Sequence, residues 1–173
     1  MKNLFSLLTL IIFFSCSLKQ DPNLNTEGED VFENKEVYID TKELSWQDTV
    51  YVPIYSDIYS RSKQVRFYLT ATLSIRNTSL TDSIYIEDID YYDTDGDLIR
   101  KYLDKVLLLK PMQSIEYVIE KDDKVGGAGA NFIVYWGADV SNLSPVFQGI
   151  MISTNGQQGV AFLTEGTSTS RRK

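Results

Sequence analysis

Five aspartates, Asp88, Asp90, Asp93, Asp95 and Asp97, fall within ten residues around Gly96. Carboxylates at that density could hold a hard cation through oxygen ligands. An EF-hand-type calcium loop places acids at positions 1, 3 and 5, glycine at 6 and a bidentate acid at 12. Counted from Asp93, the acids are Asp93, Asp95, Asp97 and Asp104, but glycine arrives at position 4, Leu98 takes position 6, and the closing acid is the shorter aspartate. Asp95-Gly96 is also a turn dipeptide that accepts positive φ. The stretch is therefore expected to be a hairpin turn with Gly96 left-handed, and calcium held by Asp93, Asp95, Asp97 and Asp104 is the alternative.

The second candidate is KVGGAGANF, Lys124 to Phe132. Glycine-rich loops cradle phosphates when their N–H groups line a nest, a helix follows, and lysine with Ser/Thr comes after the last glycine. Here a strand-like run follows and the lysine precedes the glycines, so nucleotide binding is not expected. An inter-strand loop is, with Gly126, Gly127, Gly129 and Asn131 as the positions that could bind a small anion. SRSK, Ser60 to Lys63, has the serine-x-x-lysine spacing of penicillin-recognising enzymes without the rest of their constellation, and reads as a loop. Asp48-Thr49-Val50 and Asp82-Ser83-Ile84 are similar to a three-residue O-glycosylation pattern of some Gram-negative envelope proteins.

The remaining chemistry is sparse. The chain has no histidine, one cysteine (Cys16) and a formal charge of −7 over 173 residues. Histidine-based hydrolases, disulfides and thiolate zinc sites are thereby excluded, and nucleic acid is disfavoured as a partner. No catalytic residue and no required cofactor is assigned; a non-catalytic binding or structural module is expected, with a calcium-dependent binder or a carboxylate-based enzyme using the Asp88–Asp104 region as the alternative. Eleven tyrosines and two tryptophans are a generous aromatic content. Tyr51, Tyr55, Tyr68, Tyr91, Tyr92 and Tyr135 fall in strand-like runs, where they either cap the core or form a glycan- or protein-binding face.

The first sixteen residues, MKNLFSLLTLIIFFSC, combine Lys2, an apolar run from Leu4 to Phe14 and Ser15 before Cys16. This is the layout of an export signal, too short to span a bilayer as a helix. Ser15-Cys16 resembles a lipobox, in which the cysteine is acylated and anchors the protein to a membrane leaflet. Ser17 to Lys35 has no apolar period and reads as a tether, with a reach of about 25 Å by flexible-chain statistics. The expected organisation is a signal peptide (1–15), a lipidated cysteine with a disordered tether (16–35), one domain (36–166) and a disordered tail (167–173).

The elements that must position all this are strands. From Val65 to Ile75 every odd residue is apolar and every even one polar, the period of a strand with one buried face. Thr49–Ser56 alternates likewise, and its Pro53 points to a sheet edge. Further runs lie at 83–92, 98–103, 106–109, 114–120, 131–138, 146–153 and 160–164. In SIYIEDIDYY the apolar parity shifts from even (Ile84, Ile86) to odd (Ile89, Tyr91), which predicts a β-bulge near Glu87-Asp88. About nine short strands predict an all-β fold, an antiparallel sandwich that is immunoglobulin-like in the broad sense, with a small closed barrel as the alternative.

VYVPIYSDIY, LTATLSIRNTS, IDYYDTDGDLIRKYLDK, GGAGANFIVYW and GQQGVAF occur in that order between Leu44 and Gly166. In these motifs the chain resembles the bacterial envelope family called domain of unknown function 3124. The resemblance implies an exported or lipid-anchored protein and implies no activity. Localisation in the bacterial cell envelope, lipid-anchored at the outer membrane and facing the periplasm or the cell surface, with an envelope protein or glycan as partner, is the expectation that follows.

Overall fold

A computed structural model of the chain describes residues 33–155 and 157–172. The signal-like segment, Cys16 and the tether up to residue 32 lie outside the described residues, as does Gly156. The strands are β1 (Glu36–Val37), β2 (Trp46–Pro53), β3 (Asp57–Tyr59), β4 (Arg66–Tyr68), β5 (Thr70–Arg76), β6 (Ile84–Tyr92) and β7 (Leu98–Lys101). They continue with β8 (Val106–Leu109), β9 (Ser114–Ile119), β10 (Asn131–Ala138), β11 (Val146–Asn155), β12 (Gln158–Glu165) and β13 (Thr167–Arg172).

One sheet has seven strands in the order β1-β8-β6-β10-β2-β13, with β7 also on β6. The other has four, β12-β11-β5-β9, and β3–β4 form a separate hairpin. The antiparallel sheets do not close into a barrel, and the fold is an all-β sandwich. The alternation seen in the sequence is the cause. In β5, Ala71, Leu73 and Ile75 have no exposed surface, and in β10 Phe132 and Val134 have none either. With Val52, Ile54, Leu69, Ile84, Ile86, Ile89 and Leu109 they form one core fed by both sheets. Each of the buried Val, Leu, Ile and Phe side chains contributes about 1.5–3 kcal/mol by leaving water.

The bulge falls where the parity shift places it. Tyr135 pairs with Asp88 and Trp136 with Ile86, so Glu87 is the extra residue on β6. That single insertion lets Ile84, Ile86, Ile89 and Tyr91 all face the core. The alternating run from Val65 is instead broken at Leu69, between β4 and β5, because β4 pairs with β3 while β5 enters the four-stranded sheet.

Two expectations about the ends of the chain are corrected together. The tail 167–173 was expected to be disordered, yet Thr167–Arg172 is β13, paired with β2 from Thr167↔Tyr51 to Arg172↔Gln47. Gly166 makes this possible: a Cβ there would press against Val50 and Phe147, so only glycine lets the chain cross from β12 in one sheet to β13 in the other. β2 is consequently interior, between β10 and β13, and not the edge that Pro53 implied. Proline is tolerated because Pro53 ends the strand, two residues past the last β13 pair. At the other end, the last residues of the segment expected to be a disordered tether, Glu33–Lys35, form a 3-10 turn leading into β1, which β8 holds by pairing.

Candidate functional site

The two stretches with the most chemical promise are brought together at one end of the sandwich. The acidic turn, residues 93–97, links β6 to β7, and the glycine loop leads into β10, the neighbour of β6. Thr94 joins them. Its N–H and its Oγ1 hydroxyl both donate to Gly126 O, each at 3.0 Å, and Gly129 N–H donates to Thr94 Oγ1 at 2.9 Å.

The turn itself is organised by Asp93. Its Oδ1 accepts the N–H of Asp95 and of Asp97, both at 2.9 Å, Gly96 N–H donates to its carbonyl, and Gly96 has φ +88°. This is the hairpin turn with a left-handed glycine that the sequence predicts. The calcium constellation is not assembled: among the described residues no group of three or more acidic or thiol side chains is placed to hold a metal ion. Asp104 lies elsewhere, in the β7–β8 connection beside Tyr38, Asp40 and Lys105.

The glycine loop is occupied by a protein group, the Thr94 hydroxyl. Gly127 has φ +76°, and a Cβ on it would come within 2.6 Å of Thr94 Oγ1. Gly129 is packed on the Thr94 methyl, and a Cβ on Gly126 would collide with Tyr91 Oη. The glycines are therefore explained by close approach to Thr94 and Tyr91. Asn131 opens β10, paired with Pro53 on one side and Tyr92 on the other.

Beneath the loops lies a layer of tyrosines. Tyr91 Oη shares a 2.9 Å hydrogen bond with the fully buried Ser56 Oγ, and Ser56 N–H donates to Gly127 O. Tyr91 stacks on Phe132 at 5.0 Å between centroids, and Tyr102 meets Tyr117 at 5.0 Å and Phe132 at 5.7 Å. Arg100 ties this layer to the loop, donating to Tyr102 Oη and to Asp123 Oδ2, each at 3.0 Å. Burial raises the phenol pKa of Tyr91, Tyr102 and Tyr117, a bond from Arg100 opposing it at Tyr102. All three stay protonated at neutral pH, so they supply rings and hydroxyl donors and no base. On the outer face of β6, Lys101 Nζ bridges Asp88 at 2.8 Å and Asp90 at 2.7 Å, and these bonds raise its pKa.

The other sequence candidates are placed as follows. Tyr91 is fully buried, whereas Tyr51, Tyr55, Tyr68, Tyr92 and Tyr135 are half-buried, so these six do not form an exposed aromatic face. Ser60 and Arg61 lie in the β3–β4 turn, where Ser60 N–H donates to Val65 O. Thr49 is buried within β2, paired with Tyr135 and Ser170, which removes it as a glycosylation acceptor in this fold.

What the sequence analysis passed over is the surface around β12. An open groove of about 530 Å³ runs between it and the β3–β4 hairpin, lined by Ile58, Arg61, Val65, Phe67, Gly159 and Val160. A second, of about 410 Å³, lies on the outer face of the four-stranded sheet beside Lys121, Ile152, Gly159 and Ala161. The signal available in the sequence was the absence of any edge-protecting charge within GQQGVAF.

The family model described as "Protein of unknown function (DUF3124)" matches residues 47–169. No curated protein matches the chain. A solved structure titled "Crystal Structure of Thermotoga maritima 1070" is similar at 14% identity, covering 69% of this chain and 92% of that chain, with a TM-score of 0.39.

Proposed function

The chain belongs to that family of proteins of unknown function, and from this premise we propose that it is a non-catalytic envelope lipoprotein. In this reading the sandwich is a binding or structural module, exported and held at a membrane by acylated Cys16, which contacts an envelope protein or glycan. The observation that supports a non-catalytic role is the Thr94 lock. Thr94 of the acidic turn and the backbone of the glycine loop direct their polar groups at each other, and the phenols beneath them stay protonated. The anchor is supported by the order of residues in the chain: Lys2, the apolar Leu4–Phe14 run, Ser15-Cys16 and then a polar tether. Several acyl chains at about 0.8 kcal/mol per buried methylene hold such a protein on a bilayer for its lifetime.

The test is Cys16→Ala in the native host. The parent chain should fractionate with membrane and carry label from a fatty-acid probe, and the variant should do neither. A variant that stays in the membrane fraction and keeps the label refutes the anchor.

A further inference from the structure

Sheet edges in this fold are guarded unequally. β1 is two residues long, β7 is four and carries Arg100-Lys101, and β13 is polar, ends in Arg171-Arg172 and has a register shift between Ser168 and Ser170. β9 has a charge, Glu116, in its middle. Short length, charges and irregularities of this kind are how proteins prevent edge-to-edge pairing. β12 uses none of them before its last residue, Glu165. It is eight residues long, pairs with β11 without a register break from Glu165 to Gln158, and contains no proline or cation. Among the described residues its backbone pairs only with β11, which leaves its outer row of N–H and C=O groups without a partner strand there.

The face of the sheet beside this edge is apolar. Leu163, Ile150, Thr72 and Val118 are aligned across the four strands, and Ala161, Ile152 and Thr70 form the adjacent row. Leu163, Ile152 and Val118 are each more than half exposed, at 57%, 51% and 53%. The charges lie at opposite ends of the edge. Lys121 Nζ donates to Thr154 O at 3.3 Å, and Thr154 is paired with Gly159, so the cation stands at the start of β12. Glu165, held by Gln148 Nε2 at 2.7 Å, stands at its end on the same outer face. Neither charge is in an ion pair among the described residues.

An edge with Lys121 beside its start and Glu165 at its end is complementary to an antiparallel copy of itself. We propose that β12 is the seam of a homodimer, two copies pairing edge to edge and antiparallel over Gly159–Glu165 with Phe162 on the two-fold axis. Directly opposite residues in an antiparallel pair share a face, so this register sets Glu165 of the second copy opposite Gly159 and beside Lys121. Gly159 has open space where its side chain would be, the nearest atom to a Cβ there being 3.8 Å away, so it leaves room for the incoming carboxylate. Leu163 then meets Ala161 of the second copy, and the apolar rows run on across the axis. A partner of different sequence would need the same charge order, which here is set by Lys121 beside the start of β12 and Glu165 at its end. A seam of this length buries less than the roughly 800 Å² per partner of a standard interface, so association is concentration-dependent.

Sedimentation equilibrium of the purified full chain tests this. The expected result is a monomer–dimer equilibrium that Lys121→Glu and Glu165→Lys each weaken roughly tenfold, the effect of about 1.4 kcal/mol. The Lys121→Glu/Glu165→Lys double variant should recover it. Circular dichroism melts that match the parent confirm that all variants fold. Single reversals that leave association unchanged, a double variant that fails to recover it, or a chain that is monomeric at every concentration all overturn the proposal. The last outcome would leave the edge to an extended segment of a different protein.

Discussion

The end of the sandwich where the acidic turn meets the glycine loop and the edge formed by β12 are opposites in composition and in how their polar groups are used. The loop end has Asp93, Asp95 and Asp97 beside Gly126, Gly127 and Gly129, and every contact described there is internal. Thr94 bonds Gly126 and Gly129, Asp93 bonds its own turn, and Tyr91 bonds Ser56. The β12 edge is apolar for most of its length, yet it leaves a row of backbone groups and three exposed large side chains nearby without a described partner strand. The difference teaches that residue type is a poor guide to availability. A hydrogen-bonding group already paired inside the fold has little free energy to offer a ligand, whereas an open backbone edge has a full set of unmade bonds.

Substitutions can break or sharpen this contrast. The largest effect is expected from Gly126→Ala, because the new methyl would collide with Tyr91 Oη and crowd the buried Ser56 Oγ. Overpacking of this kind costs about 3 kcal/mol, to be read from urea denaturation midpoints. A variant as stable as the parent would show that the loop end is not locked. Thr94→Ala comes next, at about 2 kcal/mol, since it removes the hydroxyl that bridges Gly126 O and Gly129 N. Thr94→Ser keeps the hydroxyl and should recover most of that loss in the same titration; a serine variant as weak as alanine would assign the effect to the methyl instead. The smallest effect is expected from Leu163→Lys on the β12 side. With the side chain 57% exposed, monomer stability should change by no more than about 0.5 kcal/mol, measured at a concentration too low for association. A larger loss would mean that this face contributes to the fold of the single chain.

Much of the fold was legible because strand patterning is local. The alternation Leu69, Ala71, Leu73, Ile75 and the parity shift from Ile86 to Ile89 report which face of a strand is buried, and the Glu87 bulge follows from the second without any knowledge of the partner strand. Asp95-Gly96 was legible for the same reason, since a turn dipeptide constrains its own backbone. The tail was not. Thr167–Arg172 has no apolar alternation, because it lies at a sheet edge and is held chiefly by ladder bonds to β2 and by side-chain bonds such as Ser168 Oγ to Asp48 Oδ1 at 2.8 Å. Backbone pairing of this sort has no side-chain signature. Pro53 misled for a related reason, since its missing N–H matters only if β13 extends that far along β2, and it does not.

The sequence by itself determined the all-β class, the buried faces of the strands, the bulge and the left-handed turn, and its motifs placed the chain in its family. Each depends on periods of two residues or on dihedral preferences of one or two positions, which the chain expresses wherever it folds. Only the tertiary structure decided that Thr94 fills the glycine loop and that the acidic residues are not gathered around a metal. It alone decided, too, that β13 covers β2 while β12 remains open. Those outcomes depend on contacts between residues more than thirty positions apart, such as Thr94 with Gly126 and Asp48 with Ser168, and on sheet order, for which neighbouring residue types carry no information.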